Sequence, residues 1–273
     1  MKINLSIIMP VYNAKTTIEN AINSINNQKL KKKDMKVEII LIIDDGQKYE
    51  NYIPKLKNWI SVKIIKTNGI KTGPGNARNI GLKKANGKYI GFLDADDEWS
   101  ESYISKMYKL VKKYGVAFSP TKIYENGREI YTFVGKEDGY LKLSDIGRVP
   151  CSFHPMILKK NIIEFKNIQS QDVYNTAYIL AKKNKIKMVS DEYYRLNMQE
   201  RSVTRQSGFN HKINIAYKKY QIMCKKDKVD KVGRQFALRR IHNKNFMDWS
   251  KENNGNFYNY LINKIKKNNL KWE

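Results

Sequence analysis

From residue 5 to about 94, apolar runs of strand length alternate with segments of helical period. LSIIMPV (5–11), VEIILII (37–43), SVKIIKT (61–67) and YIGFLD (89–94) read as four strands. The first two are too continuously apolar to face water on either side, which suits a parallel sheet covered on both faces. TTIE carries a capping-box pattern from Thr16 to Glu19, and Ile18, Ala21, Ile22 and Ile25 follow at helical spacing, predicting one amphipathic helix. YIPKLKNWI (52–60) predicts a short helix. GPGNARNIGLKKANG (73–87) predicts another, with Ala77, Ile80, Gly81 and Ala85 along one side and Gly87 as its stop. This alternation predicts an α/β chain with crossover helices.

Beyond residue 100 the pattern is less regular. YISKMYKLVKKYG reads as a helix, VAFSPTKIY and REIYTFV as shorter strand-like pieces, and helical character returns over 172–183 and 210–270. No internal repeat or low-complexity linker divides the chain, so a boundary near 206 rests on a change of pattern and charge alone.

In open α/β sheets ligands sit where strands end and loops begin. Tyr12 with Asn13, Asp44 with Asp45, and the stretch Asp94 to Glu98 all fall just past predicted strand ends, so three polar clusters converge on one edge. Asp94, Asp96, Asp97 and Glu98 occupy four of five positions. Carboxylates so close repel one another unless something positive sits among them. Alternate carboxylates leaving a buried strand can point at one hard divalent cation, whose shell diphosphate oxygens would complete. A plainer reading makes the cluster an acidic turn capping the next helix, for which Asp97 is suited.

Charge extends the same argument. The 273 residues hold 52 Lys and Arg against 26 Asp and Glu, a formal charge of +26, which points to nucleic acid, an anionic membrane surface or phosphorylated substrates. Residues 206–273 are the densest part, with 16 Lys or Arg against five Asp or Glu. Tyr217, Tyr220, Phe236, Phe246, Trp249, Phe257, Tyr258, Tyr260 and Trp272 lie among those cations, a mixture suited to an anionic surface or to packing as a helical cap. Hydrophobic residues make up 41%, enough for a core. The apolar runs are far shorter than the ~20 residues of a membrane span, and no signal-peptide pattern opens the chain, so a cytoplasmic location is expected. Cys151 and Cys224 are the only cysteines, which excludes a disulfide scaffold and a four-cysteine zinc site.

LSIIMPVYNA, IILIIDDG, GPGNARNIGLKKANGKYIGFLDADDEW, SQDVYNTAYILAKKNKIKMV and YYRLNMQERSVTR occur in the order found in family-2 glycosyltransferases, which the chain resembles over about residues 4–205. The resemblance implies a GT-A fold: a Rossmann-like, mostly parallel central sheet flanked by helices. A catalytic domain would span 1–205, with a nucleotide-sugar half to about 100 and an acceptor half from 101. A basic helical extension would follow over 206–273.

The resemblance also implies an inverting transfer of a hexosyl or N-acetylhexosaminyl group from a nucleoside-diphosphate sugar, a UDP-sugar above all. The acceptor would be a glycan or lipid-linked glycan in cell-surface polysaccharide synthesis. Mg2+ or Mn2+ would chelate the diphosphate at Asp96, with Asp94 near the ribose or the metal shell, Ala95 between them and Asp97 as a helper. Pro10 and Tyr12 would lie near the base, and Asp45 would accept from a base N–H, while Asp44 could share that role or cap a loop. Arg78 would favour the diphosphate, unless it is simply a surface arginine. Arg201, with Arg195 and Arg205, could reach the diphosphate as a loop closes, and His154 falls where relatives often place a polar site residue. The family's general base sits in a Glu-Asp pair; here the pair is Gln171-Asp172, so Asp172 alone is expected to serve. A sugar nucleotidyltransferase would need a glycine-rich basic loop after the first strand, where this chain has PVYNAKTT. A nucleic-acid-binding protein would explain the charge but neither the acidic cluster nor Asp172.

Overall fold

The computed structural model describes residues 3–30, 35–135, 139–148, 151–199 and 208–253, together with 255, 259, 260, 263 and 264. The first part runs β1 (Leu5–Val11), α1 (Ile18–Asn26), β2 (Val37–Ile43), β3 (Ile60–Lys66), α2 (Pro74–Lys84) and β4 (Tyr89–Phe92). Next come β5 (Glu98–Trp99), α3 (Tyr103–Tyr114), β6 (Val116–Ala117), β7 (Thr121–Glu125), β8 (Arg128–Phe133), β9 (Tyr140–Leu141) and α4 (Leu143–Arg148). The remainder is β10 (Met156–Leu158), α5 (Gln171–Ala181), β11 (Ile186–Lys187), β12 (Tyr194–Met198), α6 (Phe209–Lys226) and α7 (Asp230–Glu252).

The main sheet has the order β3-β2-β1-β4-β10-β6; its first four strands are parallel, and β10 and β6 add antiparallel. Alternate residues of β1 and β2 face two different cores, as continuous burial requires. Leu5, Ile7 and Met9 meet Ile18, Ile22 and Ile25 of α1 together with Ile104 and Met107 of α3. Ile8, Ile40 and Ile42 face the other way, into a core shared with Ala77, Tyr174, Tyr220 and Phe236. A second sheet, β5-β12-β7-β8, stands beside the strand ends.

Three local expectations are corrected. The Thr16–Glu19 capping box does not form: α1 has Thr17 at its N-cap with no side-chain cap, and the Thr17 hydroxyl donates backwards to the Ala14 carbonyl at 3.3 Å. Residues 52–60 make no helix beyond one turn at Glu50–Tyr52, because Pro54 holds Ile53 extended. Gly87 is not the left-handed stop of α2, which ends at Lys84 and passes into extended backbone at Ala85. A Cβ on Gly87 would meet the Ser6 backbone nitrogen at 2.5 Å; glycine lets this turn press against β1, where its N–H donates to Ser6 Oγ at 2.8 Å.

The expected boundary near 206 lies outside the described residues. On its far side, the tail aromatics that suited a surface are largely core. Tyr220 stacks on Tyr174 of α5 at 4.6 Å, Phe236 lies 4.8 Å from Tyr220, and Tyr217, Phe246 and Tyr260 are buried with them. Arg239 of α7, also buried, donates to the Ile146 carbonyl at 2.7 Å and to the Tyr217 hydroxyl at 3.1 Å. Apolar rings bury where they can cover one another, so α6 and α7 close the core over α5. Phe257, Tyr258 and Trp272 lie outside the described residues. Among those described, no helix is long and apolar enough to cross a membrane.

Candidate active site

The ends of the parallel strands β1, β2 and β4 lie side by side; hydrogen bonds join the loops after β1 and β2, and the loop after β4 is tied to α2 and β12. Asp44 accepts from the Thr67 hydroxyl at 2.8 Å, from the Thr72 N–H and hydroxyl at 2.9 and 2.7 Å, and from the Gly73 N–H at 2.9 Å. It therefore ties the loop before α2 to β2, the loop-capping alternative. Asp45 accepts from the Asn13 N–H at 2.8 Å, the Tyr49 hydroxyl at 2.6 Å and the Gln47 N–H at 3.0 Å. Burial pushes its carboxyl up, but these donors outweigh burial and hold it below the ordinary aspartate value. Tyr12, 43% exposed, follows the end of β1 directly before Asn13, and Pro10 is half-buried near the end of that strand.

The acidic cluster divides into carboxylates with assigned partners and one without. Asp94 takes an ion pair from Arg78. That arginine is not at the surface: its side chain is 2% exposed, and its guanidinium lies 5.7 Å from the Phe165 ring centre. Burial works against its charge, yet Asp94 and Asp172 raise its pKa above the ordinary arginine value. Asp97 accepts from the Tyr194 hydroxyl at 2.7 Å and the Asn197 N–H at 2.9 Å. The helix-cap reading of Asp97 falls here, because α3 has Ser102 at its N-cap and Asp97 is fastened to β12 instead. Glu98 accepts from Asn197 Nδ2 at 2.9 Å, with Arg195 Nε 3.7 Å away.

Asp96 is the remainder. Among the described residues no other side chain donates to its carboxylate; its backbone carbonyl accepts from Asn197 Nδ2 at 3.1 Å. Burial and the neighbouring Asp94 charge push its acid up to about 6. Ala95, buried between Asp94 and Asp96, lets the chain pass without a further polar group. No group of three His, Cys, Asp or Glu among the described residues is placed to enclose a metal ion. The fit is instead to a cation shared with a ligand: a carboxylate whose donor among the described residues is its own backbone N–H, destabilised by burial and by Asp94, with the remaining oxygens to come from elsewhere.

Asp172 stands in the first turn of α5, where its carboxylate accepts from the Val173 N–H at 2.9 Å. Burial pushes its acid up, but the Arg78 charge, His154, Val173 and the Ser152 hydroxyl together hold it below the ordinary value. His154 is buried, stacks on Tyr194 at 4.6 Å and lies with Nε2 3.4 Å from Ser152 Oγ; burial lowers its pKa, so it is neutral at pH 7. His154, Asp172, Asn175, Phe92 and Phe165 line a cavity of about 10 Å3, too small for a sugar. Gln171, beside Asp172 in the chain, is buried, and its Oε1 has no hydrogen-bond partner among the described residues.

The structure places Asp94, Asp96, Asp172, Arg78 and His154 near one another, and beside them Tyr194, Asn197 and Ser152, which sequence reasoning missed, as it missed Tyr49 beside Asp45. Each of the missed groups orders a carboxylate that the sequence had flagged. Arg195 belongs to β12, donating to Asn197 Oδ1 at 2.9 Å and lying 4.0 Å from the Tyr124 ring centre. Arg201 and Arg205 lie outside the described residues.

This arrangement has relatives. The family model described as glycosyl transferase family 2 matches residues 6–246, which extends past the 205 at which the resemblance was expected to end. The chain is 29% identical over 212 residues to the poly(ribitol-phosphate) beta-N-acetylglucosaminyltransferase TarP of Staphylococcus aureus, covering 70% of this chain and 62% of that protein. It is 32% identical over 203 residues to the UDP-Glc:alpha-D-GlcNAc-diphosphoundecaprenol beta-1,3-glucosyltransferase WfaP of Escherichia coli, covering 71% of this chain and 77% of that protein. The chain thus spans less than two thirds of TarP. Among solved structures, S. aureus TarS residues 1–349 in complex with UDP-GlcNAc superposes with a TM-score of 0.61 at 20% identity, over 79% of this chain and 66% of that one. The likeness extends to the parallel-rich sheet and its flanking helices, the GT-A fold. With the strand order, the acidic exit of β4 and Asp172 of α5 all falling inside the matched span, this chain belongs to glycosyl transferase family 2.

Proposed function

We propose that this chain is an inverting glycosyltransferase that moves a hexosyl or N-acetylhexosaminyl group from a UDP-sugar to a hydroxyl of a lipid-linked glycan, peripherally at the cytoplasmic face of a membrane. One observation carries the reading: two carboxylates, Asp96 and Asp172, have their acids displaced in opposite directions, with the buried Arg78 charge acting on both. Separated carboxylate pKa values are how one site divides two chemical roles. Support for the donor comes from relatives whose names or ligands contain UDP-sugars, and for the acceptor from those whose names contain diphosphoundecaprenol.

Asp172 is ionised at neutral pH and sits in the first turn of α5, where it would take the acceptor hydroxyl's proton. Its low basicity is tolerable, because the hydroxyl oxygen becomes strongly acidic as it bonds to the anomeric carbon, so proton loss can follow bond formation. Ser152 and the Val173 N–H hold the carboxylate in place. At the other end of the site, Asp96 with Asp94 would hold Mg2+ or Mn2+. When bound, that cation supplies charge neutralisation for the departing diphosphate. Tyr12 and Asp45 would hold the base, and Arg78 would act through Asp94 rather than by touching the diphosphate from the surface.

The test is calorimetric titration of UDP with Mg2+ or Mn2+ and again with chelator. Binding is expected to be about tenfold or more tighter with the cation, and Asp96→Asn should remove most of that gain while UDP still binds weakly. Equal affinity for wild type and variant in the presence of Mn2+ would overturn the metal assignment.

A further inference from the structure

α6 has two faces of different kinds. Its inner face, Ile213, Ala216, Tyr217, Tyr220 and Cys224, is buried in the core. Its outer face carries Ile215 and Ile222, which are 45% and 61% exposed. Seven residues apart, they lie two turns along one line. Lys212, Lys219 and Lys226 repeat the same seven-residue step on one side of that line, and Lys218 and Lys225 on the other; all five are exposed. The helix contains no Asp or Glu, and among the described residues no ion pair engages these lysines.

Folding does not account for this face. One buried side suffices to dock a helix, and a solvated side gains from acids spaced to pair with its lysines. Instead, two uncovered isoleucines run between two rows of cations. Nucleic acid would reward the lysines and leave the isoleucines in water, and stacking on bases would need aromatic rings, which α6 holds on its buried side. A bilayer interface rewards both, taking the apolar row into the acyl boundary and pairing the cations with anionic headgroups. We infer that the outer face of α6 is the surface by which this protein lies on an anionic lipid bilayer.

The placement fits the site. Tyr220, on the inner face, has its hydroxyl pKa raised by burial and by the nearby Asp172 charge, so one helix separates the general base from the proposed lipid surface. The inference draws on the lipid-linked acceptor of the proposed function only for what docking would serve. Its test is read without donor or acceptor.

Full-length protein is sedimented with phosphatidylcholine vesicles, with and without about one third phosphatidylglycerol, at about 0.05 and 0.5 M salt. Binding is expected only with the anionic lipid and to weaken at the higher salt. Ile215→Ser with Ile222→Ser should weaken it about tenfold, and Lys218→Glu with Lys219→Glu at least as much. Lys83→Glu with Lys84→Glu, the same charge change at the end of α2, should cost no more than about twofold. Ile215→Gln with Ile222→Gln serves as a second apolar variant should the serine pair melt early. Isoleucine variants that bind like wild type, or the two lysine pairs weakening binding equally, would overturn the inference in favour of diffuse attraction. Equal binding to pure phosphatidylcholine would overturn it as well. UDP affinity with Mn2+ should be unchanged in every variant, which separates a failure here from a failure of the catalytic reading.

Discussion

The loop after β4 and the first turn of α5 each present a carboxylate, yet the two acids are displaced in opposite directions although burial pushes both up. At Asp96 burial acts together with the Asp94 charge, and the acid is pushed up to about 6. At Asp172 burial is outweighed by Arg78, His154 and two hydrogen-bond donors, and the acid stays low. The difference shows that low exposure alone does not decide whether an acid is ionised. What decides is which side of the buried arginine's ion pair it occupies: Asp94 takes the contact with Arg78, leaving its neighbour Asp96 with the repulsion.

The largest effect should come from Asp172→Asn, which keeps the size and the acceptor for the Val173 N–H but cannot take a proton. Turnover at saturating donor and acceptor is expected to fall by about 10²-fold or more, with UDP affinity unchanged. Near-normal turnover would place the base elsewhere and dissolve the division of roles.

An intermediate effect is expected on stability, with an unusual sign. Because the Asp96 acid is raised in the folded state to about 6, the native protein holds a proton there that the unfolded chain has released. Its contribution to stability is therefore present below about pH 4, the ordinary aspartate value, and is lost as pH rises through about 6. Asp96→Asn removes that loss, so at pH 7.5 the variant should melt a few degrees higher than wild type, by about 1 kcal/mol after allowance for partial exposure. At pH 4 the two should converge. A variant less stable than wild type at pH 7.5 would mean that Asp96 is already neutralised in the free protein.

The smallest effect sharpens the other side. Ser152→Ala removes a donor that helps hold the Asp172 acid low, so the acid limb of the turnover–pH profile should move upward by less than one unit. Above pH 8 the rate should be close to wild type, and Ser152→Thr should restore the limb. A lower rate at every pH with an unmoved limb would reduce Ser152 to packing.

The parallel half of the fold was legible because β1, β2 and β4 are buried on both faces, which leaves a continuous apolar signal. The acidic cluster was legible for the opposite reason, a concentration of like charge in a basic chain. What could not be read was who neutralises whom. In the sequence Arg78 stands open between a diphosphate contact and a surface arginine, and in the structure it is neither exposed nor free. Its burial depends on α2 packing closely through small residues: a Cβ on Gly81 would come within 2.5 Å of Ile8 Cγ2 in the sheet, and one on Gly75 would meet the Lys166 carbonyl of the loop before α5 at 2.6 Å. Ser152 and Tyr194 were invisible in a different way, as ordinary polar residues in irregular sequence whose partners are brought to them only by the sheet. Within the tail, isoleucine and lysine alike carry the seven-residue spacing of the exposed face, whereas Tyr217, Tyr220, Phe236, Phe246 and Tyr260 make the buried side.

The tie between Asp97 and Tyr194 spans 97 positions of the chain. During synthesis the acidic loop emerges well before the strand that satisfies it. At ribosomal speeds of about 5–20 residues per second, roughly 5–20 s pass between the appearance of Asp97 and that of its tyrosine. Through that interval the loop's carboxylates lack β12, although the strands beneath them can already pair. The half built on β1 to β4 can therefore collapse early while its acidic edge stays unfinished, and the arrival of β12 sets the moment at which the loop after β4 closes into shape.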